Sequence, residues 1–268
     1  NELNEFMVEY FERNNTLSVL VYNQEKRPKK FRVILNAHLD VVSGKDEQFQ
    51  HFQSKDRFYG RGAIDMKGGV SIEILVFKEL AKKLYYPIAL QLVTDEEIGG
   101  FNGTKYQIEK GVKSDFVIAG ESTDFGINNQ AKGINWVKNK IKGKTAHGGA
   151  YPWQGENALF KLQKIIEKIY QKYPLPKKEV WQNTVNLAKI ETNNETFNKV
   201  PDQAIACLDI RYLPNDKEKV IKDLKGIIGK KNRLEILLNE PPQYTNENNP
   251  YILKLREAIK KLLIKNRK

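Results

Sequence analysis

Four polar clusters constrain this chain more than anything else in it, because they spread one imidazole and a set of carboxylates over separate places that follow apolar runs. They are Asn36-Ala37-His38-Leu39-Asp40, Gly60-Arg61-Gly62-Ala63-Ile64-Asp65-Met66-Lys67-Gly68-Gly69, Thr94-Asp95-Glu96-Glu97 and Gly120-Glu121-Ser122. The runs 31–37, 88–93 and 116–119 are short, apolar and rich in β-branched residues. That suits strands covered on both faces of a parallel sheet better than half-exposed alternating strands. Each run then hands its polar residues to the carboxyl edge of the sheet, where ligands bind in open α/β folds. His38 and Asp40 are two apart, so on a continuing strand they share a face, and one can ligate while the other supports.

Such a set is suited to a metal. A divalent ion with open positions takes His and carboxylate ligands and lowers the pKa of its water towards about 7. Two such ions, about 3.5–4 Å apart, can share a bridging carboxylate, and an acid outside the ligand set then moves the proton. Adjacent Glu96 and Glu97 supply one ligand and one base, since consecutive residues leaving a strand diverge. Asp65 has another reading as a helix N-cap, and the Glu96-Glu97 pair another as the acidic first turn of a helix. The surrounding Gly60–Gly69 block favours the metal role for the first, and Gly99-Gly100 favours a loop for the second.

These residues resemble the co-catalytic zinc hydrolase family of acetylornithine deacetylase, succinyl-diaminopimelate desuccinylase, aminoacylase and the glutamate-releasing carboxypeptidases. The likeness runs in order from His38 through Arg211, and its most specific part is the Gly60–Gly69 block followed by Thr94–Glu97. It implies two zinc ions per subunit, with cobalt or manganese also suited to such ligands. His38 and Glu121 would serve one ion, Glu97 the other, and Asp65 would bridge them. Asp40 would orient the His38 imidazole. Glu96 would be the general base that deprotonates water and later protonates the leaving amine. In Lys144-Thr145-Ala146-His147-Gly148-Gly149, the resemblance implies that His147 reaches the active site of a homodimer partner and stabilises the oxyanion. Arg211 would bind the substrate carboxylate, and Asn198 would lie near the substrate. The ordinary alternative for Arg211 is an exposed strand arginine paired with Asp209 or a neighbour.

The implied reaction is metal-dependent hydrolysis of an amide in an N-acyl amino acid or small peptide. One departure bears on it. The family pattern has a further His ligand near its C-terminal end, whereas the three histidines here are His38, His51 and His147. The expectation is therefore a fragment of a longer enzyme whose last ligand lies beyond Lys268. The competing reading is a non-catalytic dimerising or peptide-binding relative with an incomplete metal site, and a one-metal hydrolase lies between the two.

The net charge of +12 invites a nucleic-acid reading, but the lysines are scattered and form no basic stripe interleaved with aromatics, so neither nucleic acid nor membrane is expected as a partner. Cys207 is alone, which excludes a disulfide framework and a thiolate metal site. With no signal-like or membrane-length apolar segment, a cytoplasmic location is expected.

The spacing of Leu3, Phe6, Met7, Tyr10 and Phe11 predicts an amphipathic helix over 1–13. Strands follow at 17–22 and 31–37, with a hairpin-like turn at 23–30, and His51 falls in a polar loop. A helix over 66–84 faces the sheet through Val70, Ile74, Phe77 and Leu80. From about residue 130 the expected order is strand 133–141, helix 156–173, strand 185–191, strand 204–212, helix 217–228, strand 234–238, that of a split β-α-β unit. The expected architecture is thus α/β: a mostly parallel, helix-flanked sheet of the zinc-peptidase kind over 1–129 and 240–268, with a ferredoxin-like α+β lid and dimerisation domain, 130–239, inserted into it.

Overall fold

The computed structural model describes residues 3, 5–178, 180–230 and 232–265. The chain divides into two compact units, Asn1–Gly126 and Ile127–Lys268.

The first unit is built on a five-stranded sheet. Its strands are β1 (Met7–Arg13), β2 (Thr16–Tyr22), β3 (Phe31–His38), β6 (Ile88–Val93) and β7 (Ser114–Ala119), in the order β1-β2-β6-β3-β7. A small hairpin of β4 (Phe52–Ser54) and β5 (Arg57–Tyr59) and the helices α1 (Gly68–Ala81) and α2 (Thr104–Glu109) complete it. β3, β6 and β7 run parallel, and only β2 opposes the common direction, being antiparallel to both β1 and β6. The sheet is therefore mostly parallel, and the ends of β3, β6 and β7 share one edge. β6 is buried along its whole length, as expected of a central strand covered on both faces. β7 differs: it is an edge strand and alternates between partly buried and exposed residues.

Two apolar layers hold this sheet. On one face Val70, Phe77 and Ala81 of α1 pack with Leu35, Leu90 and Met66. On the other, Phe11, Leu20, Phe31 and Ile34 pack with Val112, and Tyr106 of α2 leans against them.

The expected N-terminal helix is corrected to a strand. Residues 7–13 pair with 16–22 through a two-residue turn in which Asn14 and Asn15 take φ of 51° and 61°. That is the left-handed pair that a tight hairpin demands and that asparagine tolerates. The hairpin hydrogen bonds and the burial of Phe11 outweigh the helical spacing of the apolar residues. Positions 1, 2 and 4 of the expected helix lie outside the described residues. The turn at 23–30 is not that of a hairpin either, because β6 inserts between β2 and β3.

The second unit follows the expected order closely. It contains β8 (Gln130–Ala131), β9 (Gly133–Lys142), α3 (Ala158–Lys172), β10 (Thr184–Glu191), β11 (Gln203–Tyr212), α4 (Lys217–Ile228), β12 (Arg233–Glu240), β13 (Gln243–Tyr244) and α5 (Pro250–Lys265). Its sheet is antiparallel throughout in the order β10-β11-β9-β12, the ferredoxin-like arrangement. Helices α3 and α4 share one face of it, burying Leu162, Ile169, Val220 and Leu224 against Val137, Ile141, Leu208 and Ile210. Asn157 caps α3, its side chain accepting from the backbone N–H of Leu159 at 2.8 Å and Phe160 at 3.3 Å. β8 pairs with β13, which ties the two ends of the ferredoxin-like element together.

Candidate metal centre

His38 closes β3 and is only 2% exposed. Its Nδ1 lies 3.0 Å from the Asp40 backbone carbonyl oxygen and 3.4 Å from Asp40 Oδ1. The ring is thereby fixed with Nε2 facing two acids, 3.0 Å from Asp65 Oδ1 and 3.4 Å from Glu121 Oε1.

Asp65 reaches this position on the loop before α1. Gly62 adopts φ +80°, and a Cβ there would lie 2.5 Å from Val41 Cγ1, so the tight turn needs glycine. Asp65 itself is extended, with φ −119° and ψ 99°. The N-cap of α1 is Lys67, which makes no side-chain capping bond, so the helix-cap reading of Asp65 does not hold. Buried Met66 anchors the loop, its Sδ accepting the His38 backbone N–H at 3.3 Å. Gly69 lets α1 press against the end of β7: a Cβ there would stand 2.4 Å from the Gly120 carbonyl oxygen.

Glu96 and Glu97 sit on one short helical turn after β6, ended by Gly99 at φ +107°. Two aspartates hold this turn. Asp40 accepts the backbone N–H of Glu96 at 3.2 Å and of Glu97 at 3.0 Å. Buried Asp95 accepts those of Asn102 at 2.7 Å and Gly103 at 3.1 Å. The anchoring role of Asp95 escaped the sequence reading, because such bonds to distant backbone leave no local pattern.

One donor atom from each of His38, Asp65 and Glu97 lies within 4.8 Å of the others. Three carboxyls around them titrate abnormally. Glu121 is raised by burial and by Asp65 and Glu97, against the opposing His38. Glu96 is raised by partial desolvation and by Glu121, Glu97 and Asp40, again against His38. Glu73, buried in α1, is pushed up to about 8 by desolvation and by the charge of Glu121. Burial alone would lower His38, but the Asp40 carbonyl and the charges of Glu96, Glu121 and Asp40 outweigh it, and the imidazole is raised. Glu73 also escaped the sequence reading, although it falls on the same helical stripe as Val70 and Phe77, where an acid is out of place.

Among the described residues no lysine or arginine pairs with Asp40, Asp65, Glu96, Glu97 or Glu121. A converging set of oxygen donors with one imidazole and no organic cation is what a divalent ion satisfies, so these residues fit a metal.

The other sequence candidates belong to the second unit. The His147 loop lies beside the segment carrying Asn198: His147 bridges to Lys199, and the Gly148 N–H donates to the Asn198 carbonyl at 2.6 Å. The exposed His147 ring accepts at Nδ1 from the Gly149 N–H at 3.1 Å. Arg211 on β11 donates to Asp209 through Nε at 3.0 Å and Nη2 at 3.1 Å, the ion pair that the sequence offered as its ordinary alternative. His51 is exposed, immediately before β4.

Residues 34–268 match the family model described as peptidase family M20/M25/M40. The chain belongs to this family. Among M20 relatives, an uncharacterized metallohydrolase of Methanocaldococcus jannaschii is 29% identical over 281 residues, covering 88% of this chain and 67% of that protein. A succinyl-diaminopimelate desuccinylase of Rickettsia typhi is 30% identical over 195 residues, 65% of this chain and 51% of that one. The chain thus spans about two thirds of the first relative's length and about half of the second's. An M20 metallo-carboxypeptidase of Sulfolobus solfataricus shares the fold, with a TM-score of 0.73 at 22% identity over 96% of this chain and 75% of that one. Family membership and the fold shared with that carboxypeptidase are what these comparisons show.

Proposed function

We propose that the intact protein hydrolyses an amide bond of an N-acyl amino acid or small peptide, as a deacylase, desuccinylase or carboxypeptidase. The observation that carries this reading is the convergence of His38 with the carboxylates of Asp65 and Glu97, with Glu96 on the same turn as Glu97. His38 and Glu121 would hold one zinc ion and Glu97 a second, with Asp65 between them, two per subunit; cobalt and manganese suit the same donors. When bound, such a cation supplies Lewis acidity, polarising the amide carbonyl and making water a stronger acid.

The chain's own residues supply the rest. Glu96 accepts the proton of the attacking water and returns it to the departing amine, and its raised pKa suits both directions of transfer. Asp40 holds the backbone of the Glu96 turn and the His38 ring at once. In a homodimer formed through the 130–239 lid, with 1–129 and 240–268 as the catalytic domain, His147 donates to the developing oxyanion. Arg211 exchanges Asp209 for the substrate carboxylate, and Asn198 lines the same approach. The lone Cys207 accords with a cytoplasmic location.

The alternative is a non-catalytic dimerising or peptide-binding relative; among the described residues the cluster contains a single imidazole. Hydrolysis of a panel of N-acyl amino acids by the zinc-loaded protein separates the two. The enzyme reading expects turnover that Glu96→Gln abolishes while metal is retained. Substrate binding without turnover in the full-length protein would establish the alternative.

A further inference from the structure

The helix-covered face of β9 carries residues 133, 135, 137, 139 and 141, and two of these break its apolar row. Asn135 and Asn139 are each 1% exposed. Asn135 Nδ2 and both amide atoms of Asn139 have no hydrogen-bond partner. A buried amide without a partner is unfavourable in a fold held only for its own stability.

Asn135 lines a groove of about 400 Å³ between α4 and β12, within the range of small-molecule sites. Its register partner Asn239 lines it too. From α4 come Lys217, Lys222 and Lys225, against one acid, Glu218, and two isoleucines form the apolar part. The positions 217, 218, 221, 222 and 225 make one stripe along the helix. Among the described residues none of the three lysines forms an ion pair.

From this arrangement we propose that the groove binds a small organic carboxylate with an apolar body. The lysines neutralise the carboxylate, the Asn135 amide donates to it, and the isoleucines and lysine stems cover the hydrocarbon. The site lies wholly in the second unit and stands independently of the metal centre.

Calorimetric titration of the metal-free full chain with acetate, hexanoate and inorganic phosphate tests it. The expected result is saturable binding of one hexanoate per chain, about tenfold or more tighter than acetate because of the added methylenes. The paired change Lys222→Glu with Lys225→Glu, at two exposed positions, is expected to weaken hexanoate about tenfold and leave the melting temperature within a few degrees. Asn135→Leu is expected to abolish binding and raise the melting temperature, as a satisfied apolar row should. Phosphate binding tighter than hexanoate, undiminished hexanoate affinity in the lysine variant, or no saturable binding in the millimolar range would each overturn the proposal.

Discussion

The Asp40 carboxylate accepts the backbone N–H of Glu97 at 3.0 Å, joining the end of β3 to the turn after β6. The same residue accepts from Glu96 at 3.2 Å and fixes His38 through its own carbonyl at 3.0 Å. One residue, through its carbonyl and its carboxylate, thus sets the spacing between an imidazole and two carboxylates that are remote in sequence.

Asp40→Ala should therefore release the acidic turn without touching any proposed ligand. Loss of two hydrogen bonds to a charged acceptor is expected to cost about 2–4 kcal/mol of stability, and zinc affinity should fall about 10–100-fold. Chemical denaturation and a competitive zinc titration read the two effects separately.

Glu73 gives the metal-free protein a pH dependence of definite sign. Its pKa rises from 4.5 to about 8 on folding, chiefly by desolvation and then by the charge of Glu121. The folded state then holds a proton that the unfolded state has lost, so stability is greatest below about pH 4.5 from this group and declines up to about pH 8. Glu73→Gln should remove that decline, which denaturation midpoints measured from pH 5 to 8 would show.

Gly69→Ala tests the contact between α1 and β7. Helix propensity alone favours alanine by about 1 kcal/mol. The new Cβ would meet the Gly120 carbonyl oxygen at 2.4 Å, and a backbone clash of that kind costs about 1–3 kcal/mol. The clash should win: the expected result is a lower melting temperature and weaker zinc binding as Glu121 is displaced.

Arg211 already has an anion in its fork, since Asp209 takes Nε and Nη2. An ion pair this exposed is worth at most about 1 kcal/mol. Asp209→Asn is accordingly expected to lower KM for an N-acyl amino acid by up to about fivefold with kcat little changed, whereas Arg211→Ala should raise KM. Steady-state kinetics of the zinc-loaded full-length enzyme would separate the two.

The parallel core of the first unit was legible because β3 and β6 are mostly apolar runs, interrupted only by Arg32, Asn36 and Gln91, that stop at polar clusters, which gives both the strand and its functional end. The ferredoxin-like unit was legible because the clear amphipathic helices 158–172 and 217–228 alternate with strands of period two. The N-terminal hairpin was not, since the spacing of Phe6, Met7, Tyr10 and Phe11 fits a helix and the deciding signal was the Asn14-Asn15 turn. At the candidate site His38, Asp65, Glu96, Glu97 and Glu121 were all named from sequence, because each lies at or just after a recognisable strand end or within a glycine block. What holds them in place was hidden. The bonds from Asp95 and Asp40 to backbone, and the pressure of Gly69 on Gly120, join segments whose proximity exists only once the chain has folded.

The most direct measurement is zinc stoichiometry and affinity by calorimetry and elemental analysis on the wild-type chain, His38→Ala and Asp65→Asn. The wild type is expected to hold at least one zinc ion tightly, and each variant to lose affinity by about 100-fold or more. Wild-type protein that binds no zinc, or variants that bind it as tightly as the wild type, would contradict the assignment of this cluster as a metal centre.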